Sequence, residues 1–237
     1  MAPNDFLRLP YLFDGEKLDR DLALCLSREW KEHFNPADYA GDWKIIALRS
    51  ENGREDAITA NDRARYQDTE LLARCGYFTE ILDGLACEKQ SVRLMRLNPG
   101  SRIKEHRDHG LSYPDGVFRL HIPIRTNEGV AFYVNARSVP MRRGECWYAD
   151  FDLPHRVENL GAEPRIHLVI DCLRNEWTDT LFTSLGYDPE RAGEKKINPG
   201  DIPLIIRQLE TMDTDRARAL IAELRSLADT ETAGASE

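Results

Sequence analysis

Hydrophobic positions follow a helical period toward both ends of the chain and a strand-like pattern between them. In residues 15–34, leucine or tryptophan recurs every four residues, which predicts an amphipathic helix. Residues 68–85 carry a second apolar face of the same kind, whereas residues 43–48 form a short apolar run typical of a strand. We therefore expect two helices and one strand ahead of the central region.

The central region consists of short runs of Val, Ile, Leu and aromatic residues, separated by Gly, Pro, Asn and Asp. Runs of this kind predict β-strands. About eight short strands close together are typical of a barrel or a double-sheet jelly roll, so we expect a mainly β fold. The predicted strands are residues 91–97, 102–105, 117–125, 130–134, 139–142, 145–151, 156–159 and 165–173.

The C-terminal region returns to helical spacing. Residues 203–212 predict one helix, and Asp213 or Thr214 is suited to cap the next. We expect these helices to pack on the β-core or to form a homodimer with a second copy. The predicted organisation is a jelly-roll domain with N-terminal helices over 1–175 (core motifs 91–173), a helical extension over 176–229, and a disordered tail over 230–237.

Composition narrows the class of partner. The chain has 237 residues, of which 41% are hydrophobic and 31% charged, which favours a folded protein. A formal net charge of −9 disfavours nucleic acid and anionic membranes as partners. We see neither an apolar membrane span nor a secretory leader, and expect a cytoplasmic location. The five cysteines are odd in number and widely spaced, so we predict reduced, mostly buried thiols.

Three side chains are candidates for a metal site. His106 and Asp108 are two residues apart, so in a strand they point to the same face. His155 lies at the junction of two predicted strands, where a jelly roll can bring it opposite the first pair. Two histidines and one carboxylate form the ligand set of non-haem Fe(II) oxygenases, although a solvated polar loop would have the same spacing.

Two arginines accompany these candidates. Arg165 opens a buried strand ten residues after His155, and a buried guanidinium needs an anionic partner, which a dicarboxylate would supply. Arg119 and His121 share one face of a strand. Their alternative role is structural, as an internal ion pair with Asp150 or Asp171.

The order of these motifs resembles the aspartyl/asparaginyl β-hydroxylase family, which includes bacterial free-proline hydroxylases. The resemblance extends over residues 97–171. It rests on Leu97-Asn-Pro-Gly, His106-Arg-Asp, Arg119-Leu-His-Ile, Gly144-Glu-Cys-Trp-Tyr-Ala-Asp, Leu153-Pro-His and Arg165-Ile-His-Leu-Val-Ile-Asp.

The resemblance implies a double-stranded β-helix enzyme that uses Fe(II), O₂ and 2-oxoglutarate. His106, Asp108 and His155 would ligate iron, and Arg165 would bind the distal carboxylate of 2-oxoglutarate. Arg119 and His121 would line the co-substrate or substrate pocket. Animal protein-modifying members have glycine at the carboxylate position, so the retained aspartate is more similar to the bacterial proline hydroxylases.

Other polar residues near these motifs receive lesser roles. We place His109 in a loop outside the ligand set, and His167 either beside the cavity or in the core. Asp150 and Asp152 are candidates to orient the imidazole of His155.

The expected substrate is a free amino acid or a similar small molecule, with its carboxylate held by Arg119 or His121. Residues 110–116 are the candidate mobile cover. Hydroxylation of Asp, Asn or Pro residues in a peptide is an alternative. Two others are a cupin-like zinc isomerase or hydrolase and a catalytically silent sensor of 2-oxoglutarate.

Overall fold

The structure is a computed structural model that describes residues 4–59, 65–189 and 202–210, together with 218, 221, 222, 224 and 225. The chain forms two compact units, Met1–Arg191 and Ala192–Glu237. In the second unit, Ile202–Glu210 is helical, which confirms the helix predicted there. Residues 218, 221, 222, 224 and 225 are also helical, as expected for a helix that begins near Asp213. The predicted tail, 230–237, lies outside the described residues.

The described part of the first unit is dominated by strands. In chain order they are β1 (Phe6–Leu12), β2 (Lys31–Glu32), β3 (Tyr39–Ala40), β4 (Trp43–Ser50), β5 (Gln67–Asp68), β6 (Lys89–Leu97), β7 (Arg102–His106), β8 (Val117–Arg125), β9 (Val130–Val134), β10 (Arg137–Ser138), β11 (Glu145–Ala149), β12 (His155–Asn159) and β13 (Arg165–Leu173). The helices are α1 (Gly15–Leu26), α2 (Gly76–Asp83) and α3 (Glu176–Ser184), and α4 (Ile202–Glu210) belongs to the second unit. Short 3₁₀ turns occupy Pro36–Asp38, Leu72–Arg74 and Tyr113–Asp115.

The strands form two antiparallel sheets. The larger sheet has the order β1-β11-β8-β13-β6-β4-β2, with β5 beside β4, and the smaller has the order β10-β9-β12-β7-β3. From β6 onward the chain passes back and forth between the sheets, which is the double-stranded β-helix, or jelly roll. The predicted fold class is confirmed.

The inner faces of both sheets enclose one apolar core. Ile45, Met95 and Val169 come from the larger sheet, and Phe132 and Val157 from the smaller. Because side chains alternate along a strand, each strand contributes every second residue to this space. By the same alternation of side chains, the polar residues at the open end of the core point toward one another.

The first predicted helix is wrong beyond residue 26. Helix α1 begins after Asp14, whose carboxylate accepts hydrogen bonds from the backbone N–H groups of Glu16 and Lys17. It ends at Leu26, and the indole N–H of Trp30 donates to the carbonyl of Cys25 at 2.9 Å. Trp30 therefore has its apolar spacing because it packs under the helix end and not because the helix continues.

The second predicted helix and one predicted strand are also partly wrong. Only Gly76–Asp83 of residues 68–85 forms the α-helix, because Thr69 pairs with the edge of β4, donating from its backbone to Leu48 at 2.9 Å. Residues 139–142 are not a strand, although Val139 and Met141 are buried in the core. Strand β1 was not predicted. It covers the edge of β11 and buries Leu7 and Leu9.

The thiol prediction is confirmed, since Cys25, Cys75, Cys87, Cys146 and Cys172 are free and buried. A membrane-crossing helix, judged by length and apolar character, does not occur among the described residues.

Candidate active site

Two strands of the smaller sheet bring the candidate metal ligands together. His106 is the last residue of β7 and His155 is the first of β12, and the antiparallel register places them opposite each other. Their ring centroids are 4.2 Å apart. Asp108 lies two residues beyond β7. One ligand atom from each of the three side chains falls within 4.8 Å of the others.

Each imidazole is oriented by a backbone carbonyl. Nδ1 of His106 lies 2.8 Å from the carbonyl oxygen of Lys104, and Nδ1 of His155 lies 3.1 Å from that of Leu153. With Nδ1–H donated in this way, Nε2 of each ring is the nitrogen left to bind a metal. The orienting group of His155 is thus the Leu153 carbonyl, and the expectation that Asp150 or Asp152 would serve is wrong.

The protonation states suit metal binding. Burial, followed by the charge of neighbouring His106, lowers the pKa of His155 to about 4, so its imidazole is neutral near pH 7. Burial opposes ionisation of Asp108, but Arg119 and the two imidazoles outweigh it, and the pKa of Asp108 is lowered. Two nitrogen donors and one carboxylate oxygen therefore converge, a donor set that fits Fe(II) or a similar divalent metal.

These side chains line a cavity of about 770 Å³ between the sheets. Arg165 lines the same cavity and is 1% exposed. Its Nη2 donates to Nδ1 of His167 at 2.9 Å, and its guanidinium carbon lies 5.6 Å from the ring centroid of Phe132. Among the described residues no carboxylate pairs with Arg165, and its Nε is buried without a hydrogen-bond partner.

An unpaired buried cation favours an anionic ligand. Burial lowers the pKa of Arg165 to about 9, which still leaves the guanidinium charged near neutral pH. Because buried charges normally have partners, the cavity is suited to a carboxylate at this position.

The second predicted pair, Arg119 and His121, also lines the cavity. Arg119 donates from Nε to Asp171 Oδ1 at 2.6 Å, from Nη2 to Asp171 Oδ2 at 3.2 Å, and from Nη1 to Asp108 Oδ2 at 2.8 Å. This is the internal ion pair considered above as the alternative role, with Asp171 as the partner. His121 differs, because its Nε2 is buried without a hydrogen-bond partner among the described residues.

His109 and His167 differ in how far they are buried. The side chain of His109 is 84% exposed and lies 3.2 Å from Asp152, outside the ligand group. His167 is buried, and its Nδ1 lies 3.2 Å from Nδ1 of His121. Burial keeps the pKa of His167 well below its usual value, so it is a neutral acceptor for Arg165.

The segment 110–116 is anchored at its centre. The Tyr113 hydroxyl donates to Thr178 Oγ1 at 2.9 Å or to Asp179 Oδ1 at 2.8 Å, and the ring stacks on Phe182 at 4.0 Å. Tyr113 is 1% exposed. Movement of this segment as one cover would break these contacts. Leu111, which lines the cavity, is also held, since its N–H donates to the carbonyl of Asp108 and its carbonyl accepts from the N–H of Phe151, each at 3.2 Å.

Arg93, His33 and Trp43 are among the cavity residues to which the sequence analysis gave no role in the site. Arg93, in the middle of β6, is buried and lines the cavity. The sequence does indicate a special role for Arg93, since it lies inside an apolar strand, which is as unusual for an arginine as the position of Arg165. His33 and Trp43 stack at 3.6 Å near the cavity. Nothing in their spacing indicates this contact, which depends on the pairing of β2 with β4.

Comparisons with known proteins give one family. The family model described as aspartyl/asparaginyl beta-hydroxylase matches residues 16–175. L-proline cis-4-hydroxylase of Rhizobium meliloti (strain 1021) is 29% identical over 163 residues, which are 67% of this chain and 57% of that protein. The chain thus matches less than two thirds of the length of this curated relative.

Solved structures with a similar fold include an oxidoreductase of the 2OG-Fe(II) oxygenase family from Burkholderia pseudomallei. It is 20% identical, with a TM-score of 0.49, and the match covers 72% of this chain and 86% of that one. Another is HygX from Streptomyces hygroscopicus with nickel and 2-oxoglutarate bound, 11% identical with a TM-score of 0.47, covering 73% and 84%. Because the family model spans more than half of the sequence, the chain belongs to the aspartyl/asparaginyl β-hydroxylase family.

Proposed function

We propose that the protein is an Fe(II)- and 2-oxoglutarate-dependent dioxygenase that hydroxylates an unactivated carbon of a free amino acid or a similar small molecule. The observation that carries this proposal is the combination in one cavity of two imidazoles, one carboxylate and a buried guanidinium without a carboxylate partner. A zinc hydrolase has no use for such a guanidinium.

His106, Asp108 and His155 would hold the metal. Three protein ligands leave the other coordination positions open, as a non-haem oxygenase requires. Fe(II) bound there, with 2-oxoglutarate as the co-substrate, would supply the O₂ chemistry that hydroxylates a C–H bond and yields succinate and CO₂. The protein would contribute two Nε2 donors and one negative charge, in a cavity that lies between the two sheets.

Arg165 would hold the distal carboxylate of 2-oxoglutarate. Its Nη2 is fixed by His167, and its Nε has no hydrogen-bond partner among the residues that the structure describes. A carboxylate at this position can accept from the guanidinium edge and neutralise the buried charge. His121, beside Arg165, has an unpartnered Nε2 and is the second candidate for a contact with the co-substrate.

The small-substrate assignment draws on the relative and on the cavity. The similar protein from Rhizobium meliloti is named an L-proline cis-4-hydroxylase, and proline or a related amino acid is accordingly the first substrate to test. Nε1 of Trp43 and Nε of Arg93 are buried donors that have no hydrogen-bond partner in the described part of the chain, and both side chains line the cavity. We assign them to polar groups of the substrate, because the nitrogens of Arg119 are already engaged.

The test is a substrate panel with the full-length protein, Fe(II), O₂ and 2-oxoglutarate. One set contains free amino acids with L-proline among them, and a second contains peptides with Asp, Asn or Pro. The readouts are succinate release and the addition of one oxygen atom by mass spectrometry. We expect hydroxylation in the first set only. Hydroxylation confined to peptides would contradict the assignment of a small substrate. If the protein bound neither 2-oxoglutarate nor Co(II), used as the probe for the metal site, the oxygenase function itself would be contradicted.

Arg125→Lys provides a matched control for every arginine variant of the cavity. Arg125 ends strand β8, its side chain is 43% exposed, and it forms a surface ion pair with Asp19. It does not line the cavity. The same arginine-to-lysine change there should leave product formation unchanged.

A further inference from the structure

Asp171 is the centre of a buried charge network. Its carboxylate is 3% exposed and accepts from Ser91 Oγ at 2.6 Å and from Arg93 Nη2 at 2.5 Å. It also accepts from Nε and Nη2 of Arg119, at 2.6 and 3.2 Å. Each carboxylate oxygen is therefore hydrogen-bonded, and the strands β6, β8 and β13 are tied together through one anion.

Arg119 connects this network to the candidate metal site. Its Nε and Nη2 edge is bound to Asp171, while Nη1 donates to Asp108 Oδ2 at 2.8 Å. The guanidinium also lies over the Phe151 ring at 5.3 Å. Burial opposes charge on Arg119, but the two carboxylates outweigh it and raise its pKa, so Arg119 is a permanently charged bridge.

The bridge leaves one oxygen of Asp108 for a metal. Oδ2 is occupied by Arg119, while Oδ1 lies 3.7 Å from Nε2 of His106 and faces the imidazole pair. The backbone N–H of Asp108 donates to the carbonyl of Phe151 at 2.9 Å, which fixes the loop that carries it. An aspartate on a loop is thereby held in one orientation by contacts at both its main chain and its side chain.

The same contacts leave Arg119 little capacity for a second anion. Nε, Nη1 and Nη2 each have a carboxylate partner, whereas Arg165 has none among the described residues. A co-substrate carboxylate at Arg119 would find only the two N–H groups that Asp108 and Asp171 leave, on a guanidinium whose charge two carboxylates already balance. The two arginines of the cavity are therefore divided by their partners: one is tied to protein anions and the other is open.

We propose that Arg119 is a positioning residue that holds Oδ2 of Asp108, so that Oδ1 alone is presented to the metal, and that Asp171 holds Arg119 in place. This inference rests on the proposed metal site. It departs from the pocket-lining role in ligand binding that the family resemblance implied for Arg119.

The experiment measures Co(II) binding to the full-length protein without 2-oxoglutarate, by calorimetry and by the visible absorption of the bound ion. Loss of an orienting contact outside the ligand set typically costs about 10–100-fold in metal affinity. We expect Arg119→Gln to fall in that range and Arg119→Lys to lose less, since it keeps the charge. Asp171→Asn should also weaken Co(II) binding, although its own hydrogen bonds within the described chain go to Ser91, Arg93 and Arg119.

A double-variant test with Asp108 distinguishes a positioning role of Arg119 from a general structural role. In an Asp108→Ala background, Arg119→Gln should cause no further loss of Co(II) affinity, because the group it orients is gone. Thermal melting of each variant identifies misfolding, and the lysine variant retains a charged side chain should the glutamine variant fail to fold. Arg125→Lys should bind Co(II) like the unaltered protein.

The outcomes distinguish this inference from the proposed function. Absence of Co(II) binding by the unaltered protein would overturn the metal site itself. Normal Co(II) affinity in Arg119→Gln, with weakened 2-oxoglutarate binding, would overturn the positioning role and assign Arg119 to the co-substrate. Equal losses from Arg119→Gln with and without Asp108 would likewise overturn it.

Discussion

Arg165→Lys should weaken the binding of 2-oxoglutarate by about tenfold or more. A guanidinium presents two parallel N–H donors to a carboxylate, whereas an ammonium acts as a point charge. The substitution removes about one charge-assisted hydrogen bond, for which about 1.5–3 kcal/mol is typical. About 1.4 kcal/mol corresponds to a tenfold change in the dissociation constant. Nδ1 of His167 would also lose the donor that lies 2.9 Å away.

The loss should grow as the pH rises. Burial lowers the pKa of an unpaired ammonium group, so a lysine at this position loses its charge at a lower pH than an exposed one. The arginine of the unaltered protein stays charged near neutrality. We therefore expect the ratio of the two dissociation constants to be larger at pH 8 than at pH 6.

Calorimetric titration of the Co(II)-loaded protein with 2-oxoglutarate measures this binding without turnover. Arg125→Lys is the control, since it makes the same chemical change at a surface ion pair with Asp19. Co(II) affinity measured separately should be unaffected by Arg165→Lys. An unchanged dissociation constant for 2-oxoglutarate would refute the reasoning, because it would mean that the guanidinium only fills the core beside His167.

Three further predictions concern the ligand set, pH and the loop near the cavity. His106→Ala and His155→Ala should each abolish 2-oxoglutarate decarboxylation, measured as succinate release. Asp108→Gly should reduce it less, because family members with glycine at this position exist. Near-normal turnover in either histidine variant would contradict the metal assignment. Burial lowers the pKa of His33 to about 4 in the folded protein. Between that pH and about 6.5, the unfolded state therefore binds more protons than the folded state. The free energy of unfolding should accordingly fall as the pH drops through this window. His33→Phe keeps a ring for stacking and should show a shallower loss in urea titrations at several pH values, whereas parallel curves would contradict the assignment. Tyr113→Phe removes the buried hydroxyl that bonds to helix α3, and should lower the free energy of unfolding by about 1–2 kcal/mol; a midpoint equal to that of the unaltered protein would show that the hydroxyl contacts do not anchor the loop.

Local patterns predicted most of the strands, because strand alternation depends on short-range periodicity. Most strands of the jelly roll were recognised from alternation between turn residues, since side chains two apart share a face. The same rule suggested His106 and Asp108 as a pair, but Asp108 lies on the loop after β7, where its backbone N–H donates to the carbonyl of Phe151. Helix ends were less predictable, since residues 27–34 continue the apolar spacing of α1 although Trp30 packs beneath its last turn.

Tertiary structure decided what each charged residue does. By sequence, Arg119 and Arg165 are equivalent candidates, since both occupy inward positions of apolar strands. They differ because β13 places Asp171 opposite Arg119, while the loop after β7 brings Asp108 to its other side. Arg165 pairs across strands with Leu97 instead. The sequence by itself therefore determined that Arg119 and Arg165 occupy inward positions of apolar strands. The partner supplied by the neighbouring strand determined which of the two arginines remains open, because an ion pair depends on distances that only the assembled sheets set.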